Sequence, residues 1–377
     1  MSDAEATGES GESGESDASQ SSADAPSASG DRAREQGVLR SILPKLLISI
    51  GLGAIFVYVL NRLDVDIIPD AGDFATVRWW TVGAYVGVLA LTHFFRASRW
   101  RFLIRPVDDT IPFWDGVLLN WIGFFAIFAL PLRLGELARP ALTKIRHGVS
   151  ISAGVGTVAV ERVIDGLVTS LCVMWALFAI PHLAPDDDIV RALPFYGTLA
   201  VSVFAAAFGG LLLFLWQRAL AVKLIDLTFG LVSKRLASVV AEKVGSVAQG
   251  VRSLAEPRLA FGFITETLAY WTLNAAGMWL LAWGCGLDVG FQHAVAMMGI
   301  LAIGILLPAA PGLFGSFQLA LATALRLYFV EQIVTTRGDV YIFLLFVVQS
   351  LLICAFGIVP LYAMKLRFSD LLRTRAS

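Results

Sequence analysis

Three short runs of the sequence carry side chains that could do chemistry. In the first, Pro131 is followed by Arg133, Gly135, Glu136 and Arg139, and the three ionisable residues stand three positions apart. On a helix that spacing makes them neighbours on one face, and a single Glu neutralises only one of its two Arg. The surplus guanidinium suits a phosphate, because its planar fork donates two parallel hydrogen bonds. Gly135 allows close backbone approach, and the amino end of a helix starting after the break adds a positive dipole end. The expected phosphate ligands, lipid-borne if the chain proves to lie in a membrane, are therefore Arg133 and Arg139, with Gly135 and Glu136 beside them. In the second run Thr157, Glu161, Asp165 and Thr169 recur every four residues, and Arg162 precedes Asp165 by three. Two acids against one base leave this stripe a negative excess. It reads either as a buried ion network that fixes helix packing or as the lining of a polar path, with one acid able to take up a proton. The third run, from Pro311 to Gln318, offers Gly312, Gly315, Ser316 and Gln318. Its free backbone N–H groups suit an anion, and the bland alternative is a tight turn. Glu266, Tyr270 and Asn274, at i, i+4 and i+8, face either the same cavity or a helix contact.

Other chemistry is missing its parts. The His residues at 93, 147, 182 and 293 never stand at ligand spacing, and Cys172, Cys285 and Cys354 lie in apolar runs where they read as small packing residues. No Gly-x4-Gly-Lys-Ser/Thr loop is present. Asp108-Asp109 and the Asp run at 186–188 read as solvated charge. No catalytic residue, metal, cofactor or nucleic-acid partner is expected.

These residues sit in a chain poor in charge. Of 377 residues, 57% are hydrophobic and 16% charged, against about 25% charged in a typical soluble domain. The charge is also segregated: residues 1–36 hold nine acids and two Arg, so the rest of the chain carries +6 of the formal −1. A low-complexity acidic stretch of this kind cannot bury enough apolar area to fold, and 1–36 is expected to be a disordered tail. Apolar stretches at 43–60, 79–95, 152–180, 195–216, 259–285 and 341–364 approach or exceed the roughly 20 residues that a ~30 Å hydrocarbon slab requires. The fold class is therefore all-α, a polytopic helical membrane protein, with its membrane domain at 37–367 and a basic tail at 368–377. Arg96, Arg99, Arg101 and Arg105 after the second stretch, and the basic tail, match the cytoplasmic excess of Lys and Arg. Both termini are expected in the cytoplasm and the protein in the plasma membrane.

Two further apolar stretches break in the middle. Residues 113–142 break at Pro131, and 294–328 break at Pro308 and Pro311-Gly312. For the other six to keep their orientation, each must return to the side it entered, the first from inside and the second from outside. Each reads as a re-entrant hairpin or as a pair of half-length helices, and together they form an inverted repeat, the pattern that points to a transporter's midplane site. The 218–258 segment repeats Leu and Val at steps of three and four with Lys and Arg between them, which suits amphipathic helices on the inner interface.

Together, Arg99-Trp100-Arg101, Pro131-x-Arg133-x-Gly135-Glu136-x2-Arg139, Glu161-Arg162-x2-Asp165 and Pro311-Gly312-x2-Gly315-x2-Gln318 resemble the lysylphosphatidylglycerol synthase transmembrane family, also called flippase-like integral membrane proteins. The likeness covers about 43–366. It departs at Gln318, where an acid is frequent in the family. The resemblance implies a membrane domain that moves a lipid with a bulky polar head between leaflets. It brings no lysyl transfer, because the soluble aminoacyl-tRNA-dependent domain of the synthases has no counterpart in this sequence. The expectation is a lipid translocase, flippase or scramblase, with Glu161, Arg162, Asp165, Thr157, Glu266, Asn274, Gly312, Gly315, Ser316 and Gln318 lining its cavity. The rival readings are a membrane scaffold for a separate cytoplasmic lipid-modifying or glycosyl transferase, and an integral membrane lipid-linked transferase. Membrane lipids are the expected partners, and the sequence assigns no oligomeric state.

Overall fold

Helices fall on the apolar stretches, and their ends carry identifiable stop signals. The structure, a computed structural model, describes residues 28–62, 65–130, 135–180, 188–216, 255–306 and 310–366. Arg133, Pro308, most of 218–258 and the basic tail lie outside them. The chain divides into two units, Met1–Pro44 and Lys45–Ser377. The described part of the first is the opening of helix α1 (Ala28–Arg62). This helix starts within the 1–36 segment expected to be disordered, on the last Ser-Gly step of that segment, Ser29-Gly30. From Asp31 onward the Arg, Ala, Glu and Gln residues have good helix propensity.

The second unit contains the rest of α1 and the remaining helices. These are α2 (Trp79–Ser98), α3 (Trp100–Ile104), α4 (Phe113–Ala129), α5 (Ala138–His147), α6 (Ile151–Ala179), α7 (Asp188–Trp216), α8 (Pro257–Gly284), α9 (Phe291–Gly304), α10 (Ser316–Arg326), α11 (Glu331–Ile333) and α12 (Asp339–Ala363). The described residues include no strand. Leu130 is extended (φ −90, ψ 140), as a residue before proline must be, and ends α4. Gly148, left-handed at φ 73, closes α5 by donating its N–H to the Lys144 carbonyl at 2.9 Å. Ser150 caps α6 by accepting the Ala153 N–H at 3.3 Å, and Pro257 opens α8 at a position where no N–H is needed.

Helix α2 runs antiparallel along α8. Trp80 meets Trp283 at one end, and Ser98 donates to Glu266 at the other. Each of the two broken stretches contains two helices, one on either side of its break. In the first, α5 returns along α4, with Ala138 and Leu142 packed on Leu119, Ile122 and Ala126. In the second, α10 returns along α9, so that Gly304 abuts Ala320 while Ala296 packs near Leu327 and Tyr328 at the far end. The first pair opens beside the carboxyl end of α2, where Phe113 and Trp114 touch Phe94. The second opens near the end of α8, where Trp279 donates to the Val289 carbonyl at 2.9 Å. The pairs thus enter the bundle from opposite ends of α2, and their tips meet: a Cβ on Gly312 would lie 3.3 Å from Cζ of Phe128.

Among the described residues one helical run, Glu331–Ala363, is long and apolar enough by itself to cross a membrane. The middle of α6 carries Glu161, Arg162 and Asp165, so its polarity is handled by neighbours rather than avoided. The outer surface is apolar: Ile48 and Ile55 on α1, Phe261 and Leu268 on α8, and Leu351 and Val359 on α12 are all exposed.

Candidate functional site

The break between α2 and α3 places Arg99 against the middle of α6. Arg99 is fully buried and grips Asp165 with both terminal nitrogens, each 2.7 Å from a carboxylate oxygen. This fork-to-carboxylate geometry is the strongest neutralisation a protein offers a buried acid. Nη1 of Arg99 also donates to Thr267 at 3.2 Å, and Trp271 donates to Asp165 at 3.3 Å. Arg162, one turn before Asp165, lies 3.8 Å from it and is its weaker partner.

The second acid of α6 is handled in the same way. Glu161, fully buried, is paired with Arg139 of α5, which also donates to Asn120 of α4. Trp100 covers this cluster, with its ring centre 5.4 Å from the Arg139 guanidinium carbon and its N–H donating to Thr157 at 2.9 Å. The negative excess expected of the α6 stripe is therefore corrected. Helical spacing within one helix cannot reveal that Arg99 and Arg139 arrive from α2 and α5 to cancel both acids.

Beside these pairs a cavity of about 380 Å³ opens between α2, α4, α6, α8, α9 and α12. Arg96, Arg162, Asp165 and Glu136 reach its wall together with Tyr270, Trp271 and Asn274. The rest of the lining is largely apolar, with Phe124, Phe128, Phe204, Met298 and Leu301. Arg96 makes no ion pair with any of the described residues. Its guanidinium lies over the Phe124 ring at 4.1 Å, with Tyr270 at 5.7 Å. That contact holds the charge in place without neutralising it. No group of His, Cys, Asp and Glu among the described residues could hold a metal ion.

A family model described as lysylphosphatidylglycerol synthase TM region matches residues 43–352, most of the chain. The chain belongs to that family. The lysylphosphatidylglycerol synthase TM region is a membrane segment, so the chain is a membrane protein of helical build, and the exposed apolar belt has lipid to face. Comparison with curated proteins and with solved structures gave no match.

The residues expected to form the site in this family member end up in different places. Arg162, Asp165, Asn274 and Glu136 come together on the cavity wall. Thr157, Glu161 and Arg139 lie behind it in the buried cluster, and Glu266 turns to Arg101 (2.6 Å) and Ser98 at the α2–α8 contact. Gly135 serves helix packing, since any Cβ there would collide with the backbone of Ala126 and Ile127. The second break spends its polar groups on itself. Gln318 accepts the Gly315 N–H at 2.8 Å, Ser316 donates to the Leu313 carbonyl at 3.2 Å, and Gly312 and Gly315 supply positive φ values of 77 and 88. It presents Leu313 and Phe317 to the cavity instead.

Arg96 and Arg99 are the residues that sequence reasoning misplaced, as part of an interfacial collar. A signal was there: Thr92, Arg96 and Arg99 step by four and three along one face of α2. Asn120 stood as an isolated amide in an apolar run, and it proves to be a ligand of Arg139.

Proposed function

We propose that the chain is a lipid translocase, a flippase or scramblase that moves a phosphate-bearing lipid with a polar head group between leaflets. The observation that carries this reading is Arg96, a guanidinium without an ion-pair partner among the described residues, facing a cavity large enough for a small head group. A charge at such depth is costly unless a wet cavity or a counter-ion meets it, and a phosphate supplies the counter-ion. Arg162, held only loosely by Asp165, is the second ligand. Arg133, three residues before Glu136, is kept as a further ligand on its spacing. Arg139 acts behind the wall, tying α5 to α6.

In this reading the helix pairs α4–α5 and α9–α10 are re-entrant hairpins that dip into the bilayer from opposite faces. The protein is multi-pass in the plasma membrane with both termini cytoplasmic. The head group passes through the cavity while its chains remain in lipid, beside the apolar wall of Phe124, Phe128 and Leu301. Without a nucleotide-binding loop in the sequence, movement is downhill or ion-coupled.

The test is leaflet exchange of fluorescent lipids in liposomes that hold the purified chain. Exchange should depend on the protein and fall about tenfold for Arg96→Ala, the loss of one charge-assisted contact of about 1.5 kcal/mol. If a folded protein exchanges none of the lipids supplied, the translocase reading fails and a scaffold for a cytoplasmic transferase takes its place.

A further inference from the structure

We infer that Asp339 is a proton-binding site, a carboxyl that carries a proton in the folded chain at the end of the bundle where α9 and α10 open. The helical run Glu331–Ala363 widens into a π-helical turn at Val334–Gly338 and delivers Asp339 directly after it. Such turns are rare and frequently mark functional positions. The side chain goes inward: Asp339 is 1% exposed, its Oδ2 accepts the Asp66 N–H at 3.1 Å, and its Oδ1 has no hydrogen-bond partner. The arginines at this end are engaged elsewhere. Arg326 of α10 pairs with Glu331, Arg337 donates to the Gly286 carbonyl at 2.9 Å, and Arg78 donates to the Trp283 carbonyl at 3.1 Å with its guanidinium over the Trp283 ring. Asp66 and Asp73, from the segment between α1 and α2, add like charge. An ionised carboxylate buried with one open oxygen and acids for company is costly, and a proton on that oxygen removes the cost. The neutral group still accepts the Asp66 N–H through its other oxygen. The acids of α6 are in the opposite position, since Arg99 and Arg139 hold them as anions. Further along α12, Tyr341 is fully buried with its hydroxyl unpartnered, and Gln349 lines the cavity while donating to the Tyr85 hydroxyl at 3.2 Å. The proton comes from water at this end and forms one O–H bond on Oδ1. Its release leaves a charge that repels Asp66 and Asp73 and loosens their segment from α12, a helix that also forms cavity wall. Coupling of that step to lipid movement rests on the translocase reading, whereas the proton site itself does not.

The first experiment uses the full chain in detergent and dicyclohexylcarbodiimide, which modifies carboxyls that are protonated in apolar surroundings. Peptide mass spectrometry should place the adduct on Asp339 in mildly acidic buffer and find at least about tenfold less of it in strongly alkaline buffer, where each pH unit cuts the protonated fraction about tenfold. Exposed Asp66 should stay unmodified in both. No adduct on Asp339 in the folded chain, or equal adduct at the two pH values, would overturn the site. A second measurement compares thermal midpoints of the native chain and Asp339→Asn, a neutral isostere of the protonated acid. A folded chain that keeps a proton which the unfolded chain has released must lose stability as pH rises. The native midpoint should therefore fall from acid to alkaline buffer relative to that of Asp339→Asn, and parallel curves would also overturn the site. Coupling is read from fluorescent lipid exchange in proteoliposomes. A pH difference across the membrane should change the rate severalfold for the native chain and leave Asp339→Asn, which keeps its exchange without a gradient, unmoved. An equal response of both chains would strike out the coupling and leave the proton site. Absence of all exchange would instead remove the translocase reading, and the carbodiimide and stability results alone would decide the site.

Discussion

Each acid of α6 is buried with its own arginine, and the two arginines do different structural work. Arg99 joins the α2–α3 corner to α6 and, through Thr267, to α8. Arg139 joins α5 to α6 and, through Asn120, to α4. Removing one partner of such a pair strands a charge, which costs about 3 to 5 kcal/mol. Arg99→Ala is therefore expected to lower the thermal midpoint of the detergent-solubilised protein sharply, whereas Arg99→Leu combined with Asp165→Leu should recover much of the loss. Thermal unfolding of the single and double variants checks this, and equal loss in both would argue against the pair. Arg162→Gln should behave differently. Its bond to Asp165 is long and Arg99 keeps the acid neutral, so stability should change by less than about 1 kcal/mol while lipid exchange drops.

At the level of elements the helix pairs are organised by prolines and glycines, and those were legible. A proline forces its predecessor out of the helical region, so Leu130 had to end α4, and Pro311-Gly312 could not continue α9. Where each returning helix would lie was not legible, because its partner surface is set by small residues whose neighbours are far away in the chain. Gly135 is the clearest instance: it lets the start of the return segment touch the end of α4. Gly135→Ala is expected to cost about 1 to 3 kcal/mol by overpacking, measurable as a lower unfolding midpoint. Gly357, whose Cβ would strike Phe125 where α12 crosses α4, should respond in the same direction. Gly148→Ala, by contrast, meets open space and suffers only from its left-handed backbone, at about 1 kcal/mol.

For the molecule as a whole, the bundle has two ends distinguished by which helix pair opens there. The mouth of the first holds Asp115 paired with Arg146 at 2.8 Å, and the mouth of the second holds His293 against Tyr328. If the hairpins dip from opposite faces, single cysteines at Arg146 and Glu331 should react with impermeant maleimide from opposite sides of sealed vesicles. The background would be a chain without Cys172, Cys285 and Cys354. Labelling of both from one side would refute the inverted arrangement. Belonging to the membrane, the helical class and the positions of the breaks could be read in the order of residues, because hydropathy, helix periodicity and proline are local properties. Which arginine neutralises which acid depends on residues 22 and 66 positions apart being brought within hydrogen-bond reach. That pairing exists only once α2, α5 and α6 have packed, since Coulomb energy follows distance in space and is indifferent to distance along the chain.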